Sequence, residues 1–142
     1  MTAQTLGQPI LMLHVGSDDE VEKAFGTMAE RDARGLLFGP STYFQVIADK
    51  LIALAARYRI PAAYEWPAFV AAGGLMSYST EIGEGARLMG DYVGRILKGA
   101  VPADLPVVRS TRFELAINLK TAKALDLTIP PGVLARADEI IE

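Results

Sequence analysis

The sequence predicts an α/β fold: three layers, with a mainly parallel sheet and helices on both faces. Three observations point there. Short apolar runs alternate with longer amphipathic stretches, the signature of βαβ units. At least one run, Leu36-Leu37-Phe38, is wholly apolar, as a strand covered on both faces should be. The 142 residues are 51% hydrophobic and 22% charged, the balance of an ordinary globular domain long enough to bury a core.

The elements follow in order. Ile10–Val15 reads as a first strand, stopped by Gly16. Ser17-Asp18-Asp19-Glu20 then has capping-box spacing, with Ser17 as N-cap and Glu20 reaching back. Val21, Ala24, Phe25 and Met28 form the apolar stripe of the helix that follows. Leu36–Phe38 is the second strand, and Gly39-Pro40 ends it. Ser41 or Thr42 caps a long helix with Ile47, Leu51, Leu54, Ala55 and Tyr58 on one face. Pro61 precedes a third strand, Ala62–Trp66. A short helix, Ala68–Ala71, leads through Gly73-Gly74 to a fourth strand around Leu75–Tyr78.

The clearest helix runs from about Glu81 to Lys98. Ile82, Ala86, Met89, Gly90, Val93 and Leu97 share one side of it, and Gly99 is a natural C-cap. Pro102, Pro106 and Leu105–Val108 read as an extended connection. Phe113–Ile117 alternates like a strand, Asn118 caps a short helix through Leu125, and Pro131 opens a last helix to Ile141.

Composition excludes several functions. A net charge of −3 without a basic cluster argues against nucleic acid as a partner. With no cysteine there are no disulfides, no thiolate chemistry and no cysteine-ligated metal. The first residues show no basic segment followed by an apolar one, so no signal peptide is read and the chain as it stands is expected in the cytoplasm. No apolar run approaches the length of a membrane span.

Five stretches occur in a familiar order. They are Ala71–Tyr78, Gly94–Ala100, Pro102–Val107, Phe113–Leu125 and Leu134–Glu139. Together they resemble the C-terminal half of a family of ABC-transporter substrate-binding proteins that includes tryptophan and tyrosine binders. The resemblance covers nearly the whole chain. It implies one lobe of a periplasmic-binding-protein-like clamshell, in which two α/β lobes close on a small ligand across a hinge. The N-terminal lobe is expected to be absent, with Met1–Gly7 beginning where a family member finishes the helix before the strand at Ile10. At Ser79-Thr80 the family usually has glycine after the equivalent of Tyr78, so the shape of this segment departs from the pattern. The resemblance also implies two parts: residues 1–110 as the ligand-binding lobe, and 111–142 as a segment that crosses the hinge or is exchanged between copies.

In open α/β sheets ligands sit beyond the carboxyl ends of the strands. Four segments are expected to gather there: Val15–Ser17, Gly39–Tyr43, Glu65-Trp66 and Ser77–Ser79. The candidate ligand-binding residues are Ser41, Thr42, Tyr43, Glu65, Trp66, Tyr78 and Ser79. Hydroxyls with aromatic rings suit an amphipathic ligand such as an amino acid. Each has a plainer account. Ser41 and Thr42 serve equally as helix caps, Glu65 as a solvated charge, and Trp66 and Tyr43 as packing residues. For Tyr78 the motif match and the strand-end position agree.

Other chemistry has little support. His14 is the only histidine, so no second His or Cys can complete a metal site. The capping box explains Asp18-Asp19-Glu20 without a metal or a phosphoryl group. Gly83-Glu84-Gly85 lies inside a helical pattern rather than in a strand-to-helix turn, and no serine has a nucleophile-elbow context. No catalytic residue and no cofactor is expected. The partners expected are a small-molecule ligand, an ABC permease where a full clamshell is made, and a second copy of the chain. Phe113, Leu115, Ile117, Leu119, Leu125, Ile129, Leu134 and Ile140 call for burial, and exchange of the C-terminal segment in a homodimer would supply it. The alternative function is therefore a lobe that acts as a self-association module without transport.

Overall fold

A computed structural model describes Gly7 and residues 9–142. The expected helix end at Met1–Gly7 falls almost entirely outside them. The chain divides into two compact units, Met1–Arg34 and Gly35–Glu142.

In the first unit, helix α1 spans Asp18–Glu30. Ser17 is its N-cap, accepting from the Glu20 N–H at 3.4 Å, and the Glu20 carboxylate accepts from the Gly16 N–H at 2.8 Å. The reciprocal half of the box therefore lands one residue earlier than expected. Those bonds, the Gly16 one first and the Ser17 hydroxyl second, hold the Glu20 carboxyl below the usual carboxylate range. Val21, Phe25 and Met28 of the stripe are buried. The strand expected at Ile10–Val15 does not form, and Ile10 to Leu13 are exposed. An apolar run becomes a strand only when a neighbour pairs its N–H and C=O groups, and none pairs these among the described residues.

The second unit carries one five-stranded sheet of order β1-β2-β3-β4-β5. Its strands are β1 (Leu36–Leu37), β2 (Ala62–Tyr64), β3 (Met76–Thr80), β4 (Phe113–Asn118) and β5 (Glu139–Ile141). β1, β2 and β3 are parallel, with Leu36 opposite Ala62 and Tyr64 opposite Ser77. β4 is antiparallel to β3 over five pairs, from Met76 with Ile117 to Thr80 with Phe113, and β5 lies parallel to β4. Of the four apolar runs expected to build a mainly parallel sheet, those at Leu36, Ala62 and Leu75 do so and the one at Ile10 does not.

Between the strands lie α2 (Thr42–Val46), α3 (Ala48–Arg57), α4 (Pro67–Ala71), α5 (Ile82–Leu97), α6 (Leu119–Ala124) and α7 (Pro131–Leu134). The long helix expected after Ser41 is broken into α2 and α3 at Ile47, which leaves helical geometry at φ −103°, ψ 24°. The last helix is one turn only. Asp138 ends it by docking on β4: its N–H donates to the Leu115 carbonyl and its carboxylate accepts from the Leu115 N–H, both at 2.8 Å. Glu139–Ile141 then pair as β5, where β-branched residues fit a pleated ladder better than a helix. Thr111–Glu142 thus lies on the same sheet as the residues before it, with Ala116 and Ile117 buried and Phe113 and Ile140 exposed.

One side of the sheet is packed by aromatic stacking. Phe38 stacks on Tyr64 at 5.1 Å, and Tyr64 on Phe69 of α4 at 5.0 Å. The Gly73-Gly74 turn permits this. A Cβ at Gly74 would stand 2.8 Å from both the Phe69 carbonyl and the Tyr64 ring. Asn118 ties the same layer together, accepting from the Thr121 N–H at 3.0 Å as the cap of α6 and donating to the Val70 carbonyl at 3.1 Å.

Candidate functional site

Because β1, β2 and β3 run parallel, their carboxyl ends reach one edge of the sheet together, and five of the seven candidate residues belong to the segments that follow β1 and β2 there. Ser41 holds the N-cap position of α2 in extended geometry, yet its side chain makes no cap hydrogen bond. The capping account of its hydroxyl therefore does not hold. Thr42 is exposed, and the half-buried Tyr43 ring tilts against Phe44 at 6.0 Å. Glu65 and Trp66, both half-buried, form the bend between β2 and α4.

Tyr78 and Ser79 differ from expectation. Ser77–Ser79 is not a loop: the five-pair ladder with β4 carries β3 on to Thr80. Since Tyr64 is level with Ser77, Tyr78 and Ser79 stand just past the end of β2 but inside a paired strand. Strand alternation sends them to opposite sides of the sheet. Tyr78 is 58% exposed and lies flat against the half-exposed Phe113 ring, at 5.4 Å and 8°. It shares that side with Thr80 and, on the far edge, with Leu37, 78% exposed. Ser79 faces the packed side with Ser77 and Tyr64. The departure from glycine at position 79 thus sits in regular strand, opposite Glu114.

The electrostatics of the packed side are set by burial. The Tyr64 phenol, enclosed by rings, is pushed above its ordinary range and stays neutral. Three buried polar atoms, Trp66 Nε1, Ser77 Oγ and Ser79 Oγ, have no hydrogen-bond partner among the described residues. A buried donor or acceptor left unpaired costs roughly 1–3 kcal/mol, so three together are a considerable local destabilisation. Trp66 and Ser79 were candidates from the sequence. Ser77 and Glu114 were not, although the Ser-x-Ser spacing within a strand was the available signal for Ser77.

A cavity of ≈ 310 Å³ lies elsewhere, between α3 and α6 over Ala62, Tyr64 and Leu75, with Lys120 and Thr121 as its polar side chains. Its lining includes Ala62 and Leu75, at the amino ends of β2 and β3, and none of the seven candidate residues. Among the described residues no group of His, Cys, Asp or Glu could hold a metal ion, and His14 is exposed.

The fold as a whole is similar to known proteins. A solved structure of a conserved domain protein from Vibrio cholerae O1 biovar El Tor superposes with a TM-score of 0.86 at 25% identity, over 97% of this chain and 46% of that one. The ABC domain from Streptococcus pneumoniae, solved in complex with L-Trp, gives 0.85 at 25% identity, over 98% of this chain and 48% of that one. CD0873, a substrate-binding protein with adhesive properties from Clostridium difficile, shares the fold at a TM-score of 0.69 and 18% identity, over 99% of this chain and 46% of that one. The chain thus spans about half the length of these structures. No curated protein sequence matches it. The family model for ABC transporter substrate binding protein matches residues 1–141, and with this sheet and these neighbours the chain belongs to that family.

Proposed function

We propose that this chain is a solute-binding lobe of an ABC import system, taking a small amphipathic ligand of the aromatic amino-acid class at the carboxyl ends of β1–β3. The observation that carries the reading is the superposition on a structure that holds L-Trp, over 98% of this chain. Ser41, Thr42, Tyr43, Glu65, Trp66, Tyr78 and Ser79 are the proposed contacts. The role is binding without catalysis, outside the cytoplasmic membrane in a complete transport protein and with an ABC permease as partner. Among the described residues no helix is long and apolar enough to cross a membrane.

Two exposed surfaces support a second lobe as the other wall. One is the side of β3 and β4 with Tyr78 and Phe113. The other is α5, an amphipathic helix whose Met89, Val93 and Leu97 are exposed. Apolar patches of this kind mark association surfaces. A second copy of the chain could cover them as well, which keeps the homodimer a proposal of its own.

Isothermal titration with L-tryptophan, L-tyrosine and L-phenylalanine, with light scattering on the same sample, tests both proposals. The expected result is weak binding, reduced further by Tyr78→Ala, in particles of twice the chain mass. Ligand pockets normally bury 70–90% of their ligand, so sub-micromolar binding by a monomeric chain would contradict the half-cleft reading. Absence of heat with all three ligands at millimolar concentration would remove the aromatic amino-acid class. A monomer at micromolar concentration would remove the dimer.

A further inference from the structure

We propose that the cavity between α3 and α6 is a second ligand site, built for a small apolar monocarboxylate. The Tyr64 O–H and the Lys120 ammonium hold its carboxylate, and its hydrocarbon part lies against Ile52, Ile60, Leu75 and Leu125. The site shares none of the seven residues proposed above and does not depend on that reading.

The space exists because the positions around it are small. Ala55 and Ala56 of α3, Ala124 of α6 and the Gly73-Gly74 turn all line the ≈ 310 Å³ cavity. Protein interiors are ordinarily close-packed, with few voids larger than a water molecule, and pockets that take small molecules start near this size. The two helices that wall it are tied at their ends. Each is followed by a non-glycine residue of left-handed backbone, Arg59 at φ 53° and Asp126 at φ 56°, a conformation such residues seldom adopt. The Arg59 and Asp126 side chains pair with each other, which fastens the end of α3 to the end of α6.

The chemistry of the lining selects the ligand. Its hydrocarbon walls take an apolar body, and the exposed Lys120 is the only charged residue among the described residues that line it. No acid lines it, and Asp126, beside Leu125, is already taken by Arg59. Tyr64 supplies the second polar group. It is 2% exposed, and Phe38 and Phe69 stack on it at 5.1 and 5.0 Å. Rings on both faces leave only its edge, which carries the O–H, to meet the cavity. Among the described residues that O–H has no hydrogen-bond partner. Its oxygen is not sealed off, unlike the Ser77 and Ser79 hydroxyls. Burial pushes the phenol above its ordinary range, so it stays protonated and can donate. Thr121 is engaged already, its hydroxyl donating to the Gly73 carbonyl at 2.8 Å. A neutral donor and a cation, with a lysine stem long enough to swing over the rim, suit one carboxylate. They do not suit an amine, or a zwitterion whose ammonium would meet no acid.

Octanoate, octylamine and octanol, titrated to millimolar concentration into 15N-labelled protein, test the site through its backbone signals. Octanoate is expected to move the Ala55, Ala56, Thr121 and Ala124 signals saturably and to leave Ser41–Tyr43 in place. Octylamine should move none of them, and octanol should bind about fivefold more weakly than octanoate, as loss of an exposed ion pair predicts. Lys120→Gln should weaken octanoate by the same factor and leave octanol unchanged. Tyr64→Phe should also weaken octanoate while Tm holds or rises, since it removes an unpaired hydroxyl. Ala56→Leu, which narrows the cavity from its exposed side, should abolish binding of both. The proposal is overturned if octanoate moves none of the cavity signals, or moves only those at Ser41–Tyr43. Octylamine binding as tightly as octanoate would overturn it too, as would unchanged octanoate affinity in Lys120→Gln and Tyr64→Phe.

Discussion

The packed layer over β2–β4 and the α5 arm make an instructive pair. In the first, Leu51 of α3, Val70 of α4 and Ala116 of β4 are buried essentially completely. In the second, none of the described side chains of α5 is buried, Leu97 is 81% exposed, and Val107 in the following connection is 96% exposed. The arm is held by polar ties instead. Tyr92 donates to the Pro106 carbonyl, and Glu84 accepts from the Ser110 hydroxyl and the Arg112 N–H. The Ser110 bond, foremost, holds the Glu84 carboxyl below the usual carboxylate range. Yet α5 has the cleanest helical pattern in the sequence. Periodicity reports that a face expects cover; it carries no information on which chain or lobe supplies it.

Three substitutions sharpen or break that contrast, each measured by urea denaturation. Leu51→Ala should have the largest effect, a loss of about 2–5 kcal/mol, because the site is enclosed and a cavity remains. Asn118→Ala should follow with a loss of about 1–2 kcal/mol, since it uncaps α6 and removes one of the donors to the Val70 carbonyl, which keeps the Gly73 N–H. Leu97→Ala should change stability by less than about 0.5 kcal/mol, as exposed substitutions usually do. A loss at Leu97 comparable to that at Leu51 would mean that α5 is covered in solution and would erase the contrast.

Much of this was legible beforehand because its causes are local. The Ser17 and Asn118 caps, the Gly99 stop, the α1 stripe and the presence of a strand at Phe113–Ile117 all depend on residues a few positions apart and appear as read, although burial along β4 does not alternate. The ordered motifs named the family, which the match over residues 1–141 shows. The misreadings share a different origin. Ile10–Val15 has strand composition, but nothing among the described residues pairs with it. Glu139–Ile141 continues a helical pattern but is captured by β4. Tyr78 reads as a strand end until the β4 ladder extends the strand past it.

The sequence by itself determined the class of fold, the identity of most elements and two of the segments, Gly39–Tyr43 and Glu65-Trp66, that follow the carboxyl ends of β1 and β2. Tertiary structure alone decided the side of the sheet each residue serves: Tyr78 against Phe113 in the open, Ser77 and Ser79 beneath the packed layer. The reason is physical. Caps and stripes are settled by hydrogen bonds and contacts within one or two turns of the same segment. Strand partners, and the unpaired hydroxyls they enclose, depend on groups that are distant along the chain and meet only when the sheet assembles.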